Sequence, residues 1–587
     1  MKKFLSIVAL ALAAVLCVAL VACETKPQDY DMSGVTFADK TVVYNGQAQT
    51  LAVSGKLPDG VTVAYEYFSG ETKLEGAPVN AGTYKVVAKF TGDEKHNPIE
   101  DKSATLTITK AKLEVVLGAT QWIDPQSNEP AKLEEPIEFK KNEDGSFTHG
   151  YDGKQYVIDV VSSNVDLEDL SIKVYTQLNE DGSVVEESRT NGRLSSEMDT
   201  TVYVLVTLDE ENANFENTSV LASLTVTKRI IEIATAEDLQ ILYTDAYESN
   251  LPVDVKLNTV YRLVADIDLD GAVWKTIGTE LEIETKEGAV TLLGEFDGQG
   301  HKISNFVINE KSIQQKYAGS ASGLSIGFFG TYTDAYVHDV VFDDFTVDVD
   351  VRKVEGYTPD YRESDKNLLN PVYFGMVSGR PEPKKNGVGT SAENITVSNA
   401  TITIYTYKGY IGIFYGLDHA GGANGEDVYR KNLVARNVTL TAIEISENNQ
   451  NSNNKIDVGG LVGDATSYHN PSLGPDPAKL HYVDCSLTNV TLINGDKDEA
   501  EFTYKGNVGG LVADSTNVGN TFENCELKNV RIENWARGSV KQGILYAGNG
   551  GSATFNGCTV TNDNETDFGV FVAGDLVENW KDQIPQA

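Results

Sequence analysis

The carboxylates that alternate along the middle of the chain are the first residues whose spacing could do chemistry. The segment 266–271, DIDLDG, has the aspartate spacing that opens a twelve-residue calcium-binding loop. Such a loop needs a bidentate carboxylate at its twelfth position, and that position is Ile277. Alternating apolar residues across 267–274 instead favour a strand, so the sequence predicts no calcium site in this segment.

A second pair of carboxylates could act as an acid and a base. If Phe345 and Val347 face a core, Asp348 and Asp350 on the same strand both point outward. They would then lie about 7 Å apart, which is a separation that inverting glycosidases use. Enzymes that act on polysaccharides surround such carboxylates with basic or further acidic residues, and this sequence shows no such pattern around Asp348 and Asp350. We therefore prefer the interpretation of a solvated acidic face and assign no catalytic residue.

The histidines offer no second route to chemistry. The chain has seven, none in a spacing typical of metal ligands, and it lacks a His-Glu-x-x-His motif. The sequence therefore predicts no metal site and no cofactor. A net charge of −38 argues against nucleic acid as a partner and disfavours acidic polysaccharides.

Four long insertions could carry binding residues on a rigid scaffold. They are rich in Gly, Pro, Asn and charged residues, and each of their tyrosine faces would suit stacking against a sugar. Insertions that the fold merely tolerates are the alternative interpretation. The segments are 352–370, 379–392, 417–432 and 464–479, and the candidate binding residues are Tyr357, Tyr361, Tyr429 and Tyr468.

These insertions interrupt a repeat that runs from about residue 230 to the end. One marker is a glycine followed by two apolar residues, and a second marker, asparagine or aspartate, alternates with it throughout. The glycines are Gly327, Gly375, Gly412, Gly460, Gly510, Gly543 and Gly569. The second marker occupies Asn305, Asp344, Asn399, Asn437, Asn489, Asn529 and Asn562.

The residues around the second marker predict a bend in the chain. Apolar residues fall four and two positions before the marker but one and three positions after it, as around Asn489. Because strand side chains alternate with period two, one straight strand cannot produce this shift. We therefore predict an inward-facing asparagine at each corner, bonded through its amide to the asparagine one coil away. The shift fails at Asn562, which we interpret as a capping coil.

The repeat and the segment before it carry a family resemblance. The stretches 261–278, YRLVADIDLDGAVWKTIG, and 292–308, LLGEFDGQGHKISNFVI, resemble the opening of β-helical bacterial surface proteins with GGLVG-type repeats. The resemblance implies a right-handed parallel β-helix of about seven coils, of the pectin-lyase-like kind, over residues 230–587. Polysaccharide lyases and hydrolases occur on such folds, so a polysaccharide-acting enzyme remains an alternative function. A helix over 236–247, capped by Thr235, is expected near the start.

Two segments before the repeat resemble each other and a known module. VYNGQAQTL, LPDGVTVAY, NAGTYKVVAKFTGD and ATLTITKA follow in that order along residues 33–112, as in the mostly bacterial immunoglobulin-like modules of surface proteins. A degenerate copy covers 113–229, where a strand at 201–206 corresponds to the strand at 83–89. The predicted fold class is therefore all-β: two immunoglobulin-like β-sandwich modules, which act as spacers or binding units, followed by the β-helix.

The N-terminal sequence predicts the cellular location of the protein. Two lysines precede an apolar run over residues 4–22, and the sequence LVAC at 20–23 resembles a bacterial lipobox. The resemblance implies that residues 1–22 are a lipoprotein signal peptide, that Cys23 is lipidated and that 23–32 form a linker. Two or more acyl chains would hold the protein stably on a membrane. An uncleaved apolar anchor is the alternative.

The remaining cysteines and the architecture complete the hypothesis. Cys485, Cys525 and Cys558 each lie four residues before a marker asparagine, so we expect a column of stacked thiols. The sequence predicts an exported, lipid-anchored protein, exposed on the bacterial surface, whose β-helix binds and does not cleave. The expected partners are the membrane and a neutral glycan or an extracellular protein. Besides the enzyme, a structural spacer without a ligand is the other alternative.

Overall fold

The protein folds as two compact units. Unit 1 comprises Met1–His149 with Lys154–Val226, and unit 2 comprises Gly150–Gly153 with Thr227–Ala587. No described helix is long and apolar enough to cross a membrane. The computed structural model describes residues 27–194, 197–209, 212–248, 251–278, 292–313, 323–360, 368, 370–381, 391–420, 427–445, 454–467, 479–497, 506–516, 519–535, 540–548, 553–572 and 575–583.

Strands are the principal regular elements of unit 1. Short 3-10 turns at Leu167–Asp169 and Glu186–Ser188 are its other regular elements among the described residues. The strands are β1 (Lys40–Val43), β2 (Thr62–Ser69), β3 (Thr72–Lys73), β4 (Gly82–Thr91), β5 (Lys102–Thr109), β6 (Val115–Ile123), β7 (Pro130–Glu138), β8 (Lys140–Lys141), β9 (Phe147–Gly150), β10 (Tyr156–Ser163), β11 (Leu170–Tyr175), β12 (Thr201–Leu208) and β13 (Ser219–Thr227).

The first sheet of unit 1 has the strand order β1-β5-β4-β2-β3. Its pairs are antiparallel apart from β1 and β5, which run parallel. Alternate residues of β4, beginning with Tyr84 and Val86, are buried, while Lys85 and Lys89 are exposed. The half-buried strand predicted at 83–89 is therefore confirmed. Its inner face packs against Leu106 of β5, which is completely buried.

Two further sheets account for the rest of unit 1. Their orders are β10-β6-β7 and β11-β12-β13-β9-β8. The strand predicted at 201–206 lies within β12, which pairs antiparallel with β13 from Thr201 opposite Thr225 to Thr207 opposite Ser219. Alternate side chains of β12, including Val204, are buried and supply the core of this region.

Unit 2 contains the repeat. Its helical elements are α1 (Gln240–Tyr243), a π-helical turn (Thr244–Glu248), α2 (Val253–Leu257) and 3-10 turns at Glu310–Ser312, Val351–Lys353 and Trp580–Gln583. The strands are β14 (Arg229–Ile233), β15 (Thr259–Leu263), β16 (Ile267–Val273), β17 (Leu292–Asp297), β18 (Lys302–Ile308), β19 (Leu324–Ile326), β20 (Tyr332–Asp350), β21 (Val372–Phe374), β22 (Ser391–Thr406), β23 (Gly409–Gly412), β24 (Tyr415–Ala420), β25 (Val428–Glu444), β26 (Ile456–Gly459), β27 (Val462–Ser467), β28 (Leu480–Val483), β29 (Ser486–Asn494), β30 (Gly506–Gly509), β31 (Val512–Thr516), β32 (Thr521–Glu523), β33 (Glu526–Asn534), β34 (Val540–Gly543), β35 (Thr554–Asn556), β36 (Thr559–Thr561), β37 (Gly569–Val572) and β38 (Asp575–Leu576).

These strands lie in three sheets that the chain visits in turn. Within the described residues, sixteen strands form a large sheet, six form the sheet β19-β21-β23-β26-β30-β34, and three form the sheet β24-β27-β31. Each pass of the chain, called a coil below, pairs parallel with the pass before it. For example, Val438 of β25 lies beside Val490 of β29, which lies beside Val530 of β33. Like residues thus stack in columns, and one continuous apolar core runs through the unit.

The second marker lies at a bend, but its side chain does not face the core. Asn305, Asp344, Asn399 and Asn437 have left-handed backbone, with φ between 50° and 56°. Asn437, like most of the set, is exposed. The prediction of an inward asparagine is therefore wrong, because a single left-handed residue rotates the strand by itself and lets apolar neighbours on both sides face inward. Asparagine and aspartate tolerate this conformation better than other non-glycine residues.

Amide hydrogen bonds connect the markers from coil to coil. The Nδ2 of Asn437 donates to the Oδ1 of Asn399 at 3.0 Å, Asn489 donates to Asn437 at 3.0 Å, and Asn529 donates to Asn489 at 3.1 Å. At the start, Asn305 donates to Asp268 at 3.0 Å.

Two of the proposed markers depart from this pattern. Asn399 donates to Asp343 at 2.8 Å rather than to Asp344, although Asp344 has the same left-handed backbone as the other markers. At the other end, the Oδ1 of Asn562 accepts from the backbone N–H of Val530 at 3.0 Å instead of from an amide side chain. The amide of Asn529 donates at this end to Asp563, at 3.0 Å, so the column ends at Asp563.

A second column of left-handed residues lies five positions before the first. Asp339, Asn394, Asn432, Asp484 and Asn524 all have φ between 50° and 56°. Asn394 donates to Asp339 and Asn432 donates to Asn394, both at 2.8 Å, and Asn524 donates to Asp484 at 3.2 Å. A short strand with two inward residues therefore lies between two left-handed bends in each coil.

The glycine marker forms a third column, in a register that differs from the predicted one. Gly327, Gly375 and Gly412 align with Gly459 and Gly509, the residues just before the predicted Gly460 and Gly510, and with Gly543. A Cβ at Gly509 would lie 1.9 Å from the carbonyl oxygen of Val512, so this column has no room for a side chain. The seventh predicted copy, Gly569, lies in the large sheet beside Arg531 and is not equivalent.

The two ends of unit 2 deviate from the regular coils. The predicted helix over 236–247 is only α1 and the following π-helical turn, although Thr235 and Asp238 exchange the expected capping bonds at 3.2 and 2.9 Å. At the far end, β38 pairs antiparallel with β37, and Trp580 is buried behind them. Residues 267–273 form β16, as the apolar alternation across 267–274 indicated.

The cysteines of the described residues are free thiols in one column. Cys485 and Cys525 are buried, and Cys558 is partly buried. A hydrogen bond from the neighbouring thiol, together with burial, raises the pKa of Cys525 and of Cys558. The predicted column of stacked thiols is therefore present. Cys23 lies outside the described residues.

Candidate functional site

The structure separates the four tyrosines proposed for binding. Tyr357 is only 8% exposed, and its hydroxyl donates to the carbonyl oxygen of Asn370 at 2.8 Å. Its ring therefore packs inside the protein and offers no binding face, which corrects the prediction. Tyr361 and Tyr468 lie outside the described residues. Tyr429 is 43% exposed, but it belongs to strand β25 and not to a loop.

The carboxylate pair on β20 does not form an acid and base. Asp348 is exposed, but Asp350 is 4% exposed and is held by Arg352, whose Nε and Nη2 lie 2.9 and 2.8 Å from its oxygens. Hydrogen bonding to Arg352 lowers the pKa of Asp350 in spite of its burial. Asp350 is therefore an ionised structural residue, and the prediction that both carboxylates face solvent is wrong.

The outward side chains of the large sheet form two parallel rows that cross the coils. In the first row, Tyr429 of β25 stands beside His481 of β28, which stands beside Thr521 of β32. The second row lies two residues further along each strand. It contains Arg262, Asp297, His338, Glu393 and Lys431, each beside the next. Polar and aromatic groups are thus presented at the spacing of adjacent strands, about 4.8 Å.

The exposed part of the first row is an aromatic platform made of Tyr429 and His481. Their rings stack with centroids 4.7 Å apart and planes inclined by 14°. His481 is fixed through Nδ1 to the hydroxyl of Thr521 at 2.6 Å and through Nε2 to Asp427 at 3.0 Å. Lys431 places its ammonium 5.6 Å from the centre of the Tyr429 ring. The platform combines a flat apolar face with hydrogen-bonding groups at its edge.

A buried ion pair fixes the strand beneath this platform. Arg430, between Tyr429 and Lys431, points into the core and is completely buried together with Asp418. Its Nε and Nη2 reach the two oxygens of Asp418 at 2.9 and 2.8 Å, and the hydroxyl of Tyr482 donates to the same carboxylate at 2.7 Å. Because two parallel bonds hold the guanidinium, the outward direction of its neighbours is well defined.

A charged cluster lies at the start of the same outer face. The Nε2 of His338 is 3.2 Å from Glu295, and its Nδ1 is 2.7 Å from Asp339 and 3.8 Å from Asp297. Burial alone would lower the pKa of His338, but its hydrogen bonds to Glu295 and Asp339 outweigh burial and raise it. The hydrogen bond from His338 also holds the pKa of Glu295 at about 2. The Tyr336 ring stacks on the imidazole at 4.1 Å.

Ligand atoms of Glu295, Asp297 and His338 lie within 4.8 Å of one another, so these residues could hold a metal ion. No histidine spacing in the sequence indicated this. His338 and Glu295 are 43 residues apart and meet only because β17 and β20 pair in parallel.

A third group of titratable residues lies on the two small sheets. Asp457 of β26, Asp464 of β27 and Asp514 of β31 are buried around Lys455, whose ammonium is 2.9 Å from Asp457 and 2.5 Å from Asp514. Burial, together with the charge of the neighbouring aspartates, raises the pKa of Asp457 to about 6 and that of Asp464 to about 7. The sequence shows no sign of this aspartate cluster, because its members lie beside the repeated glycines, whose spacing indicates the fold and not a reactive site.

Comparison with known proteins gives only distant likenesses. No protein-family model matches the chain, and no curated protein sequence matches it. Three similar solved structures are a candidate immunoglobulin A1 protease of Bacteroides ovatus (15% identity, 59% of this chain and 78% of that one, TM-score 0.39), the surface protein and adhesin PfbA of Streptococcus pneumoniae (13%, 54% and 76%, 0.14), and a family 28 exopolygalacturonase of Yersinia enterocolitica (8%, 71% and 98%, 0.10). At these scores the likenesses assign neither a family nor an activity.

Proposed function

We propose that the chain is a bacterial surface lipoprotein that binds a neutral glycan through the outer face of its large parallel sheet. In this proposal Cys23 carries the lipid. Two immunoglobulin-like modules, 33–112 and 113–229, act as spacers. Residues 230–587 form a right-handed parallel β-helix that presents the binding face. The parallel register from coil to coil and the antiparallel sheets of unit 1 support this architecture.

The exposed aromatic platform is the observation that carries the proposal. The Tyr429 ring is 43% exposed and is stacked on His481, so it presents a flat apolar face that the apolar face of a sugar can cover. The ring is held in place on a strand and not on a loop, so binding would lose little conformational entropy. Lys431 and Asp427 lie beside it and can donate to and accept from hydroxyl groups.

The charge of the protein favours a neutral ligand. With a net charge of −38, the chain repels acidic polysaccharides at long range. Lys431 is one positive group at the platform, and it faces the tyrosine ring. Hydroxyl groups and apolar sugar faces therefore suit this surface better than carboxylates or sulfates.

An enzyme that acts on polysaccharides is the weaker alternative. Its original support was a pair of outward carboxylates, and Asp350 is instead sealed by Arg352. The aspartates with raised pKa values lie on the small sheets, and Asp457 among them is completely buried. We therefore propose binding without cleavage.

The binding proposal is tested with the full chain on an array of neutral and acidic glycans, followed by titration of the strongest ligands. Tyr429→Ala should weaken binding by about two- to tenfold, because a stacking contact contributes about 0.5–1.5 kcal/mol. Tyr429→Phe keeps the ring and should retain most of the affinity. Val264→Ala removes another exposed apolar side chain of unit 2 and serves as the matched control. Equal affinity in Tyr429→Ala and the parent would refute the platform as the binding site.

The lipid anchor needs its own experiment. Cells that express the chain are labelled with a fatty acid, and Cys23→Ala should remove the label from the protein. Cys485→Ala, which changes a buried thiol of unit 2, is the control and should remain labelled. Labelling of the Cys23→Ala protein would show that the lipobox assignment is incorrect.

A further inference from the structure

We propose that Glu295, Asp297 and His338 form a binding site for a divalent transition metal ion, with Zn²⁺ the best fit. The three residues lie on β17 and β20, which pair in register so that Asp297 stands beside His338. This proposal is independent of glycan binding, because it concerns different residues of the outer face.

The arrangement of the ligand atoms is the first argument. One oxygen of each carboxylate and one imidazole nitrogen lie within 4.8 Å of one another. Zinc binds carboxylate oxygen and imidazole nitrogen at about 2.0–2.2 Å, so one ion can reach all three atoms with small side-chain movements. The side chains are 20%, 3% and 11% exposed, in the order Glu295, Asp297, His338, so solvent can complete the coordination.

The partners of the two carboxylates are the second argument. Lys228 contacts the Oε2 of Glu295 at 2.7 Å and leaves Oε1 directed at the imidazole. Arg262 and the side chain of Gln299 contact the Oδ2 of Asp297 at 2.9 and 2.7 Å, and the nearer oxygen to the imidazole is Oδ1. Each carboxylate thus has one oxygen held by a cation and the other on the side of the imidazole, the outer-shell arrangement that metal ligands commonly have. The Oδ1 of Asp297 also accepts from the backbone N–H of Gln299 at 3.1 Å and lies 3.8 Å from Nδ1, so it must shift to reach an ion at Nε2.

The surroundings of His338 are the third argument. The Nδ1 of His338 is 2.7 Å from the Oδ2 of Asp339, and Asp339 in turn accepts from the Nδ2 of Asn394 at 2.8 Å. Such a carboxylate orients the ring and makes the opposite nitrogen a better ligand. The Tyr336 ring stacks on the imidazole and restricts its rotation. The nitrogen that remains for the ion is Nε2, which faces Glu295.

Charge and ligand type decide which ion fits. Three carboxylates, from Glu295, Asp297 and Asp339, surround the ring, whereas Lys228 and Arg262 supply two positive charges. With a neutral imidazole one negative charge remains, which favours a cation at the centre. The metal ion would take the place of a proton on Nε2, the nitrogen that faces Glu295. A set of two oxygens and one nitrogen suits zinc and its neighbours among the first-row metals, whereas Ca²⁺ needs six to eight oxygens.

The test uses the full chain, stripped with a chelator and titrated with ZnCl₂, with Co²⁺ as a spectroscopic probe of nitrogen ligation. We expect one bound ion, and His338→Gln should weaken its binding at least about 100-fold. Asp339→Asn should weaken it about 10–100-fold by removing the orienting carboxylate. His301→Gln is the matched control, since His301 also contacts an aspartate, Asp266, at 3.1 Å. The zinc affinity of this variant should equal that of the parent chain.

Two results of the zinc titration would contradict the proposal. Absence of zinc binding by the parent chain, or equal affinity in His338→Gln and His301→Gln, would overturn it. Circular dichroism reports whether each variant folds. If His338→Gln does not fold, Glu295→Gln, which keeps the size of the side chain, replaces it, and undiminished zinc affinity in that variant would also overturn the site.

Discussion

The two units of this protein achieve the same strand-rich composition by different means. In unit 1, antiparallel sheets enclose several small apolar clusters, and each buried side chain has its own surroundings. In unit 2, parallel coils place like residues above one another, so one apolar core is continuous and the bends repeat in columns. A substitution in unit 1 is therefore a local event, whereas a substitution in a column of unit 2 affects the coils on both sides.

The largest contrast between the units should come from their ion pairs. Asp418→Ala in unit 2 leaves the guanidinium of Arg430 buried without its carboxylate and should lower the free energy of unfolding by about 3–5 kcal/mol. In unit 1, Glu66 pairs with Lys73 at the surface, and Glu66→Ala should cause no resolvable change. Denaturant unfolding of both variants measures the difference. Similar losses would show that burial does not set the importance of these pairs.

A methyl group added to the glycine column should give the next largest effect. In Gly509→Ala the new Cβ would lie 1.9 Å from the carbonyl oxygen of Val512 in the same coil, so the turn between β30 and β31 must distort, at a cost of about 1–3 kcal/mol. Gly34→Ala in unit 1 adds the same atom where nothing lies within 4 Å. Thermal melting should show a lower transition only for Gly509→Ala. An unchanged Tm would mean that the column tolerates side chains.

Removal of an amide from the asparagine column should have a smaller effect. Asn489 donates to Asn437 and accepts from Asn529, and glycine at this position keeps the left-handed backbone but removes both bonds. We expect Asn489→Gly to cost about 0.5–1.5 kcal/mol. Asp199→Gly replaces an isolated left-handed residue of unit 1 and should change stability less. Equal changes in denaturant midpoint for the two variants would indicate that the amide hydrogen bonds of the column do not contribute to stability.

The smallest contrast concerns pH. Asp464 has its pKa raised from 3.8 to about 7, so the folded chain holds a proton that the unfolded chain has lost. Its contribution is therefore greatest at low pH and disappears as the pH rises from about 4 to 7. In unit 1, backbone hydrogen bonding lowers the pKa of Asp124, which gives the opposite slope. Asp464→Asn should flatten the fall in Tm between pH 4 and 7, and Asp124→Asn should not.

The sequence predicted the repeating features of unit 2 better than its chemistry. Asparagine, aspartate and glycine recur because a left-handed bend or a close backbone contact requires them, so their spacing can be recognised without a structure. The direction of the Asn489 side chain could not be predicted, since an inward corner and a left-handed bend shift the apolar pattern in the same way. The second column, which includes Asp339 and Asn394, could have been predicted, because asparagine or aspartate recurs five residues before most markers.

The charged cluster around His338 could not be predicted in this way. Insertions of different lengths separate the coils, so the residues that become neighbours across them have no fixed spacing. His338 and Glu295 are 43 residues apart, whereas Asn529 and Asn489 are 40 apart and Asn437 and Asn399 are 38 apart. Tyr429 was selected because it is a tyrosine within a polar insertion. Its position on strand β25 could not be predicted, because the sequence does not show where that insertion ends and the strand begins.

The reversal of chain direction between β37 and β38 has a consequence for how molecules meet one another. A stack of parallel strands leaves unpaired amide and carbonyl groups on its last strand, and such an edge is a template on which further chains can polymerise. Here Phe571 of β37 pairs with Leu576 of β38, which runs the opposite way, and Trp580 packs against Gly569. An incoming coil cannot continue the parallel register past β38. The antiparallel pairing of β38 therefore disfavours fibres built by end-to-end addition of coils.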